Sequence, residues 1–302
     1  METLNNKNKK PLVSIIVNCF NGEKYLEDCL NSILEQTYKN WELIFWDNHS
    51  TDSSKRIFEK FTDKRFKYHL SPRHTFLYEA RDLAIRASIG RLIAFCDCDD
   101  YWSKEKLEVL VPLFENKNIG IAYSNQWIFN EKNKKRRIHT NKVLPKGDIS
   151  SKIFQGPSVT ILTAVIKKEE YFNLRIGFNK KYQIIGDYDF FVRISKKCSF
   201  ECTQKPLSTY RIHENMFSKK NRELEINELE NWLEETKPLL SEKEITFIKE
   251  MVLYKKITVL ILKKKSLSTI FHILKFPNSF RKIKLMLALL LPKSIIEKLK
   301  EF

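Results

Sequence analysis

The chain has 302 residues and a formal net charge of +17, and 42% of its residues are hydrophobic. This composition excludes a mostly disordered chain and predicts one large folded domain or a domain with an appendage. The polar first ten residues lack the apolar segment of a secretory signal peptide, and the six cysteines include no CxxC pair. We therefore expect reduced thiols and a cytoplasmic protein.

The positive charge is concentrated near the C-terminus. Residues 251–302 contain 12 Lys and Arg against two Glu, which is a net +10 and leaves +7 for the rest of the chain. Proteins that bind nucleic acids usually carry their charge along a reading surface with a defined motif. None of those motifs occurs here, so we expect no nucleic-acid partner.

Short apolar segments alternate with amphipathic ones from residue 11 to about residue 128. The predicted elements are strands at 13–19, 41–47, 66–70 and 91–97, and helices at 23–37, 50–62 and 76–88. Strands that alternate with helices predict βαβ units, and hence a Rossmann-like α/β fold with a mixed, mainly parallel sheet. In such sheets ligands bind beyond the carboxyl ends of the strands. Polar residues follow three of these strands, at 18–20, 47–48 and 97–100, and we expect them to meet in one crevice.

Later segments are patterned less clearly. Residues 151–172 indicate an apolar strand followed by a helix, and residues 180–198 indicate a helix with acidic residues at its start. The chain is predicted to be wholly helical from Asn221 onward.

The C-terminal helices alternate apolar and lysine-rich blocks, as in ITVLILKKKSLSTIFHILKF. Their uncharged apolar runs are far shorter than the roughly 18–20 residues that span a bilayer. Helices of this kind either lie on an anionic membrane surface or form an ordinary helical subdomain with a solvated lysine face. We expect the first arrangement.

Three carboxylates, Asp97, Asp99 and Asp100, occur within four positions of the stretch FCDCDDYW. Carboxylates held close together raise each other's pKa unless a cation shares the site. A hard divalent cation, Mg²⁺ or Mn²⁺, takes oxygen ligands and keeps positions open for phosphates. The alternative is an acidic turn that caps the next helix, at 104–114.

Three segments occur in this order along the chain: PLVSIIVNCFNGEKYLEDCLNSILEQTYKNWELIFWDNHSTDSS, EARDLAIRASIGRLIAFCDCDDYW and GDYDFFVRIS. Together they resemble glycosyltransferase family 2, whose members are inverting enzymes of the GT-A fold that use nucleotide-activated sugars. The resemblance covers residues 11–217. It implies a GT-A domain there, followed by a basic helical region at 218–302.

The resemblance implies a site for the nucleotide. Asn18 and Phe20 lie in the loop that holds the nucleoside, where Phe20 either stacks on the base or belongs to the core. Asp47 matches the first of two adjacent acids of the family, and Asn48 replaces the second. An amide can still pair with a pyrimidine edge, so we prefer UDP and leave dTDP or another nucleotide open. Arg81 either neutralises the diphosphate or pairs with a carboxylate at the end of the sheet.

The resemblance also implies a metal site. Asp97 and Asp99 match the DxD motif, with Asp99 as a direct ligand and Asp97 near the metal or the ribose. Asp100 and Trp102 shape the turn. His213, in LSTYRIHENMFS, matches a histidine that completes the metal shell or touches the diphosphate.

Catalysis is implied for Asp187, which matches the family's general base. An inverting transfer needs one carboxylate to remove the proton of the acceptor hydroxyl. Gly186 stands where the family has Glu, so any contact of that Glu is lost. For Asp189 we expect stabilisation of the start of a helix.

We therefore predict an inverting, metal-dependent hexosyl- or N-acetylhexosaminyltransferase in the synthesis of a surface polysaccharide. Its acceptor would be a glycan or a lipid-linked glycan at the inner face of the plasma membrane. A sugar nucleotidyltransferase is the enzymatic alternative, although NCFNGEKY lacks the Gly-rich basic loop of such enzymes. A non-catalytic basic module that binds a membrane or nucleic acid is the other alternative.

Overall fold

The computed structural model describes residues 10–154, 159–263, 267–277 and 279–291. The strands are β1 (Val13–Cys19), β2 (Trp41–Asp47), β3 (Phe66–Leu70), β4 (Leu92–Phe95), β5 (Tyr101–Trp102), β6 (Ile119–Asn130), β7 (Lys135–Ile138), β8 (Ala164–Lys167) and β9 (Ser199–Ile212). The α-helices are α1 (Leu26–Leu34), α2 (Ser54–Phe58), α3 (Leu77–Ala87), α4 (Lys106–Leu110), α5 (Lys168–Asn173), α6 (Gly186–Ser195), α7 (Phe217–Lys220), α8 (Arg222–Thr236), α9 (Glu242–Lys263), α10 (Leu267–Lys275) and α11 (Phe280–Leu290). Short 3₁₀ helices occur at Val111–Glu115, Ile161–Thr163 and Lys237–Leu239.

Within these described residues, nine strands form one mixed sheet in the order β3-β2-β1-β4-β8-β6-β9-β5, with β7 paired to β6. The pairs β3–β2, β2–β1 and β1–β4 are parallel, whereas β4–β8, β8–β6 and β9–β5 are antiparallel. Every residue of β1, β2 and β4 is buried, as expected for parallel strands covered on both faces. The carboxyl ends of β2, β1 and β4 are consequently neighbours at one edge of the sheet.

Three predicted strands, at 13–19, 41–47 and 66–70, begin and end as expected. The fourth strand is shorter than predicted because the chain turns at once: the backbone N–H of Asp100 donates to the carbonyl of Asp97 at 2.9 Å. The helices predicted at 23–37 and 50–62 are likewise shorter in the structure, as α1 and α2. Helix α1 buries Leu26, Cys29, Leu30 and Ile33 in the core beneath β1 and β2.

The chain divides into two compact units. The first holds the described residues up to Phe129 together with Lys135–Arg211, and the second holds Asn130–Lys134 and the described residues from Ile212 onward. A separate role for residues 11–217 and 218–302 stays a prediction. Among the described helices, none has the length and apolar character that a membrane span requires.

Candidate active site

The loops that follow β1 and β2 are bound to each other. Asn21 adopts a left-handed φ of 52°, which asparagine tolerates better than most residues, and its Oδ1 accepts the backbone N–H of Thr51 at 2.8 Å. Its own N–H donates to Ser50 Oγ at 3.0 Å. A Cβ on Gly22 would lie 2.8 Å from the sulfur atoms of both Cys19 and Cys98, so glycine lets this loop approach the acidic stretch closely.

The two predicted residues of the β1 loop differ in exposure. Phe20 is 47% exposed and its ring centroid lies 4.1 Å from that of exposed His74, so Phe20 is not a core residue. Asn18 is buried, and its Nδ2 has no hydrogen-bond partner among the described residues. A buried amide donor without a partner is costly, and a ligand that accepts this hydrogen bond would remove the cost.

The side chains of Asp47 and Asn48 are already used within the protein. Asp47 is buried, its Oδ1 accepts the N–H of Ser50 at 2.8 Å, and its Oδ2 accepts the hydroxyl of Tyr68 at 2.6 Å. Asn48 Nδ2 donates to the carbonyl of Thr75 at 2.7 Å, and its Oδ1 accepts the Thr75 hydroxyl at 3.0 Å. Both residues shape the loops around Phe20, and their direct contact with a base stays a prediction.

The acidic stretch after β4 is a turn anchored by Arg211 from β9. The N–H of Arg211 donates to Oδ1 of buried Asp100 at 2.8 Å, and its Nε donates to the carbonyl of Asp99 at 2.9 Å. Burial, followed by the charges of Asp99 and Asp97, holds the pKa of Asp100 well above its ordinary value. The turn therefore concentrates negative charge, as the sequence indicated.

Arg81 of α3 is almost fully buried and pairs with this turn. Its Nη2 lies 2.6 Å from Asp97 Oδ1. Burial alone would lower the pKa of Arg81, but its interactions with Asp97, Tyr78 and Asp187 together more than offset that effect and raise the pKa above its ordinary value. Of the two roles considered for Arg81, the structure shows the pairing with a carboxylate at the end of the sheet.

Asp187 lies in the first turn of α6 and is half-buried. Its Oδ1 accepts the backbone N–H of Tyr188 at 2.8 Å and lies 3.2 Å from the hydroxyl of Tyr78. The single proton of that hydroxyl is shared with the carbonyl of Ile184 at 2.7 Å. Burial raises the pKa of Asp187, while the charge of Arg81 and these donors oppose the rise. A carboxylate with a raised pKa is a better proton acceptor near neutral pH.

Gly186 is explained by the same tyrosine. A Cβ at position 186 would lie 2.5 Å from the ring of Tyr78, which no real structure accepts without a shift. The ring of Tyr78 thus occupies the space next to Gly186, where the family has a Glu side chain.

The remaining predicted residues have structural contacts. Asp189 is buried and pairs with Arg193 at 2.7 Å, and Arg193 also donates to the carbonyl of Gly177 at 2.6 Å. His213 belongs to the second unit, where it is buried and its Nδ1 accepts the N–H of Asn215 at 3.2 Å. Its role as a metal ligand stays a prediction.

The carboxylate oxygens at the turn suit a divalent cation whose coordination shell is completed by the phosphates of a substrate. Within the part of the chain that the structure describes, no three His, Cys, Asp or Glu side chains are grouped to hold a metal by themselves. Magnesium is commonly bound by one or two carboxylates together with the phosphates of a substrate. Asp97 and Asp99, beside a buried carboxyl group with a raised pKa, fit that mode.

The loops at the ends of the parallel strands, the acidic turn and the half-buried carboxylate of Asp187 together form the candidate active site. The chain belongs to glycosyl transferase family 2, whose model matches residues 14–196. A relative in Escherichia coli, the UDP-Glc:alpha-D-GlcNAc-diphosphoundecaprenol beta-1,3-glucosyltransferase WfgD, is 30% identical over 222 residues, which are 71% of this chain and 85% of the relative.

Two solved structures have similar folds. One is S. aureus TarS 1–349 in complex with UDP-GlcNAc, with a TM-score of 0.59, 16% identity, and coverage of 95% of this chain and 90% of that chain. The other is the mannosyltransferase PcManGT from Pyrobaculum calidifontis in complex with GDP-Man and Mn²⁺, with a TM-score of 0.62, 14% identity, and coverage of 97% and 88%. The predicted GT-A-type α/β fold with a helical C-terminal part is confirmed, and so is the prediction of a glycosyltransferase.

Sequence reasoning missed two residues of the site. Tyr78 contacts Asp187 across 109 positions of the chain, and Arg211 contacts Asp100 across 111. Both are close to residues that the sequence analysis selected: Tyr78 is three residues before Arg81, and Arg211 is two residues before His213. Only their long-range contacts distinguish them from ordinary aromatic and basic residues.

Proposed function

We propose that this protein is an inverting glycosyltransferase that moves a hexose or N-acetylhexosamine from a UDP-sugar to a lipid-linked glycan. The transfer would extend a cell-surface polysaccharide. Asp187 is the base in this proposal, and Asp99 and Asp97 would hold a divalent cation together with the diphosphate.

One observation carries the proposal: a single turn of α3 connects the acidic turn with the base. Tyr78 and Arg81 are three residues apart and therefore neighbours on one helix face. Tyr78 lies 3.2 Å from Asp187, and Arg81 lies 2.6 Å from Asp97. The two acids are thus fixed through the same rigid element, as a reaction between two bound substrates requires.

The protein's own residues would perform the proton transfer. The carboxylate of Asp187 takes the proton of the acceptor hydroxyl while the oxygen of that hydroxyl bonds to the anomeric carbon. The bond from that carbon to the diphosphate oxygen breaks, and the nucleoside diphosphate leaves with the electron pair. Tyr78 and the N–H of Tyr188 hold the Asp187 carboxylate in place.

Asp99 and Asp97 would hold Mg²⁺ or Mn²⁺ together with the diphosphate. Such a cation offsets the negative charge that develops on the leaving nucleotide. Arg81 orients the carboxylate of Asp97 through their 2.6 Å contact.

Similarity supports the substrate classes. The name of WfgD gives a UDP-glucose donor and an acceptor with GlcNAc on a lipid diphosphate, and TarS was solved with UDP-GlcNAc. PcManGT was solved with GDP-Man and Mn²⁺, so a guanine nucleotide is the competing donor. A lipid-linked acceptor implies action at the inner face of the plasma membrane, where we propose a peripheral enzyme.

The test begins with thermal unfolding in the presence of UDP-Glc, UDP-GlcNAc or GDP-Man, each with Mg²⁺, Mn²⁺ or EDTA. We expect one UDP-sugar to stabilise the protein only with a cation, and Asp99→Asn to remove that effect. Turnover is then measured with GlcNAc on a short lipid diphosphate, and UDP release is followed. Release of inorganic diphosphate from a nucleoside triphosphate and a sugar phosphate would instead establish the nucleotidyltransferase.

A further inference from the structure

The last two described helices of the second unit, α10 and α11, each have two apolar faces. One face is buried against α9: Ile273, Phe276 and Leu285 join Ile257 and Ile261 in a small core. This face accounts for the folding of the two helices onto the unit. It does not account for their remaining apolar side chains.

The second face is exposed to solvent. On α10 it consists of Ile270, Phe271 and Leu274, with Leu274 60% exposed. On α11 it consists of Ile283, Met286, Leu287 and Leu290, spaced i, i+3, i+4 and i+7, with Leu287 55% exposed. Seven large apolar side chains are thus exposed within 21 residues, whereas isolated exposed apolar residues are ordinary on protein surfaces.

The charge of this surface differs from that of the neighbouring helices. On α9, Lys255 lies 2.7 Å from Glu225 and Lys263 lies 2.5 Å from Glu223, both on α8, so lysine charge is neutralised within the unit. Residues 267–291 contain four basic residues and no acidic residue. The helices that carry the exposed apolar face therefore have positive charge without any acidic residue to balance it.

We infer that α10 and α11 dock on a lipid bilayer that carries anionic headgroups. The apolar face would enter the headgroup boundary while the basic residues Lys275, Arg281 and Lys284 meet the anionic lipids. The inference is connected with the proposed function in one respect only: a lipid-linked acceptor would be located at such a bilayer surface. The rest of the predicted membrane region, at 264–266, 278 and 292–302, lies outside the described residues.

Charge decides between a bilayer and a second copy of the chain. A symmetric pair of α10–α11 surfaces would bring identical basic residues together, which opposes association. A nucleic acid would match the charge but not seven exposed apolar side chains. An anionic bilayer matches both.

The test measures co-sedimentation of the full-length protein with vesicles of phosphatidylcholine alone or mixed with phosphatidylglycerol. We expect binding to the mixed vesicles only, weakened by salt. The double variant Phe271→Ser with Leu287→Ser should bind them about tenfold more weakly at any salt concentration. The double variant Lys275→Gln with Lys284→Gln should bind the mixed vesicles about tenfold more weakly at low salt, and its loss of binding should be much smaller at high salt.

The matched control is Leu239→Ser with Ile89→Ser, which removes two exposed apolar side chains outside α10 and α11. It should bind as the wild type does, and all variants should keep the wild-type thermal unfolding. Equal binding to both vesicle types, or unchanged binding of Phe271→Ser with Leu287→Ser, overturns the inference. A dimer in sedimentation velocity that this variant converts to a monomer also overturns it, in favour of a second copy.

No sugar donor enters this experiment. Vesicle binding can therefore fail while transfer to a short-chain acceptor proceeds, and transfer can fail while vesicle binding persists. The two proposals are tested separately.

Discussion

The two units of this protein use their charged residues in opposite ways. In the first, Arg81 and Asp100 are buried, and each side chain has a defined partner in another element of the fold. In the second, the basic residues of α10 and α11 lie beside exposed apolar side chains. Catalysis needs side chains in a fixed geometry, and burial with specific contacts provides it. Attraction to a membrane surface needs only exposed residues whose charge is opposite in sign to that of the lipids.

The stability requirements of the two arrangements differ accordingly. A buried ion is tolerated only when partners replace its lost hydration, so removing one member of the first arrangement affects the others. An exposed lysine loses little when a neighbour changes. Substitutions in the first unit should thus act strongly and non-additively, and those on α10–α11 should leave the chemistry untouched.

The largest effect is expected for Asp187→Asn. The amide cannot accept the proton of the acceptor, so kcat should fall by about 10²–10⁴-fold with little change in donor affinity. Steady-state kinetics and donor titration measure the two quantities. Asp189→Asn, on the same helix, is the control: it should lower the unfolding temperature through its contact with Arg193 and change kcat far less.

Arg81→Met should cost about 3 kcal/mol of unfolding free energy, at the low end for a broken buried pair because the Asp97 side chain is 32% exposed. Urea denaturation measures the loss. The double variant Arg81→Met with Asp97→Asn should recover part of it, since no unpaired charge then remains. Strictly additive losses would contradict the pairing.

Gly186→Ala tests the close approach of Tyr78. The added Cβ must displace a packed ring, with an expected cost of about 2 kcal/mol and a lower kcat through the moved base. Urea denaturation and kinetics give both values. An alanine variant as stable and as active as the wild type would show that the ring is free to move.

Tyr78→Phe keeps the ring and removes the hydroxyl. At the optimum pH we expect about a fivefold fall in kcat, the size of one lost hydrogen bond. Asp187 must be ionised to act, so turnover falls as pH drops through its pKa. Because the lost donor had favoured the carboxylate, that pKa should rise and the acid limb of the kcat profile should move to higher pH. A lower kcat with an unmoved acid limb would leave Tyr78 only a packing role.

The smallest effect is expected for Phe271→Ser with Leu287→Ser on transfer to a water-soluble acceptor. The rate should equal that of the wild type, because the exposed face of α10 and α11 serves only the bilayer. A loss of transfer in the absence of any lipid would mean that the two regions do not divide their tasks as described.

Sequence reasoning was most successful where local pattern determines structure. The strands at 13–19, 41–47 and 66–70 are continuous apolar or alternating segments bounded by turn residues, and their limits agree with the structure. Strands β6 and β9 were not predicted, because polar residues interrupt their apolar pattern. Strand β9 also contains Lys205 and Pro206, which are unusual in a central strand.

For the site, the sequence indicated the acids but not what holds them. The convergence of the loops after β1, β2 and β4 follows from parallel strand order, which periodicity predicts. The contacts of Tyr78 with Asp187 and of Arg211 with Asp100 join residues more than 100 positions apart in the chain. No local pattern carries that information.

The anomeric configuration of the product tests the central claim most directly. We would incubate the protein with an α-linked UDP-sugar, Mn²⁺ and GlcNAc on a lipid diphosphate, and determine the new linkage by proton NMR. A base at Asp187 opposite the leaving diphosphate predicts a β-linked product. An α-linked product would contradict this account.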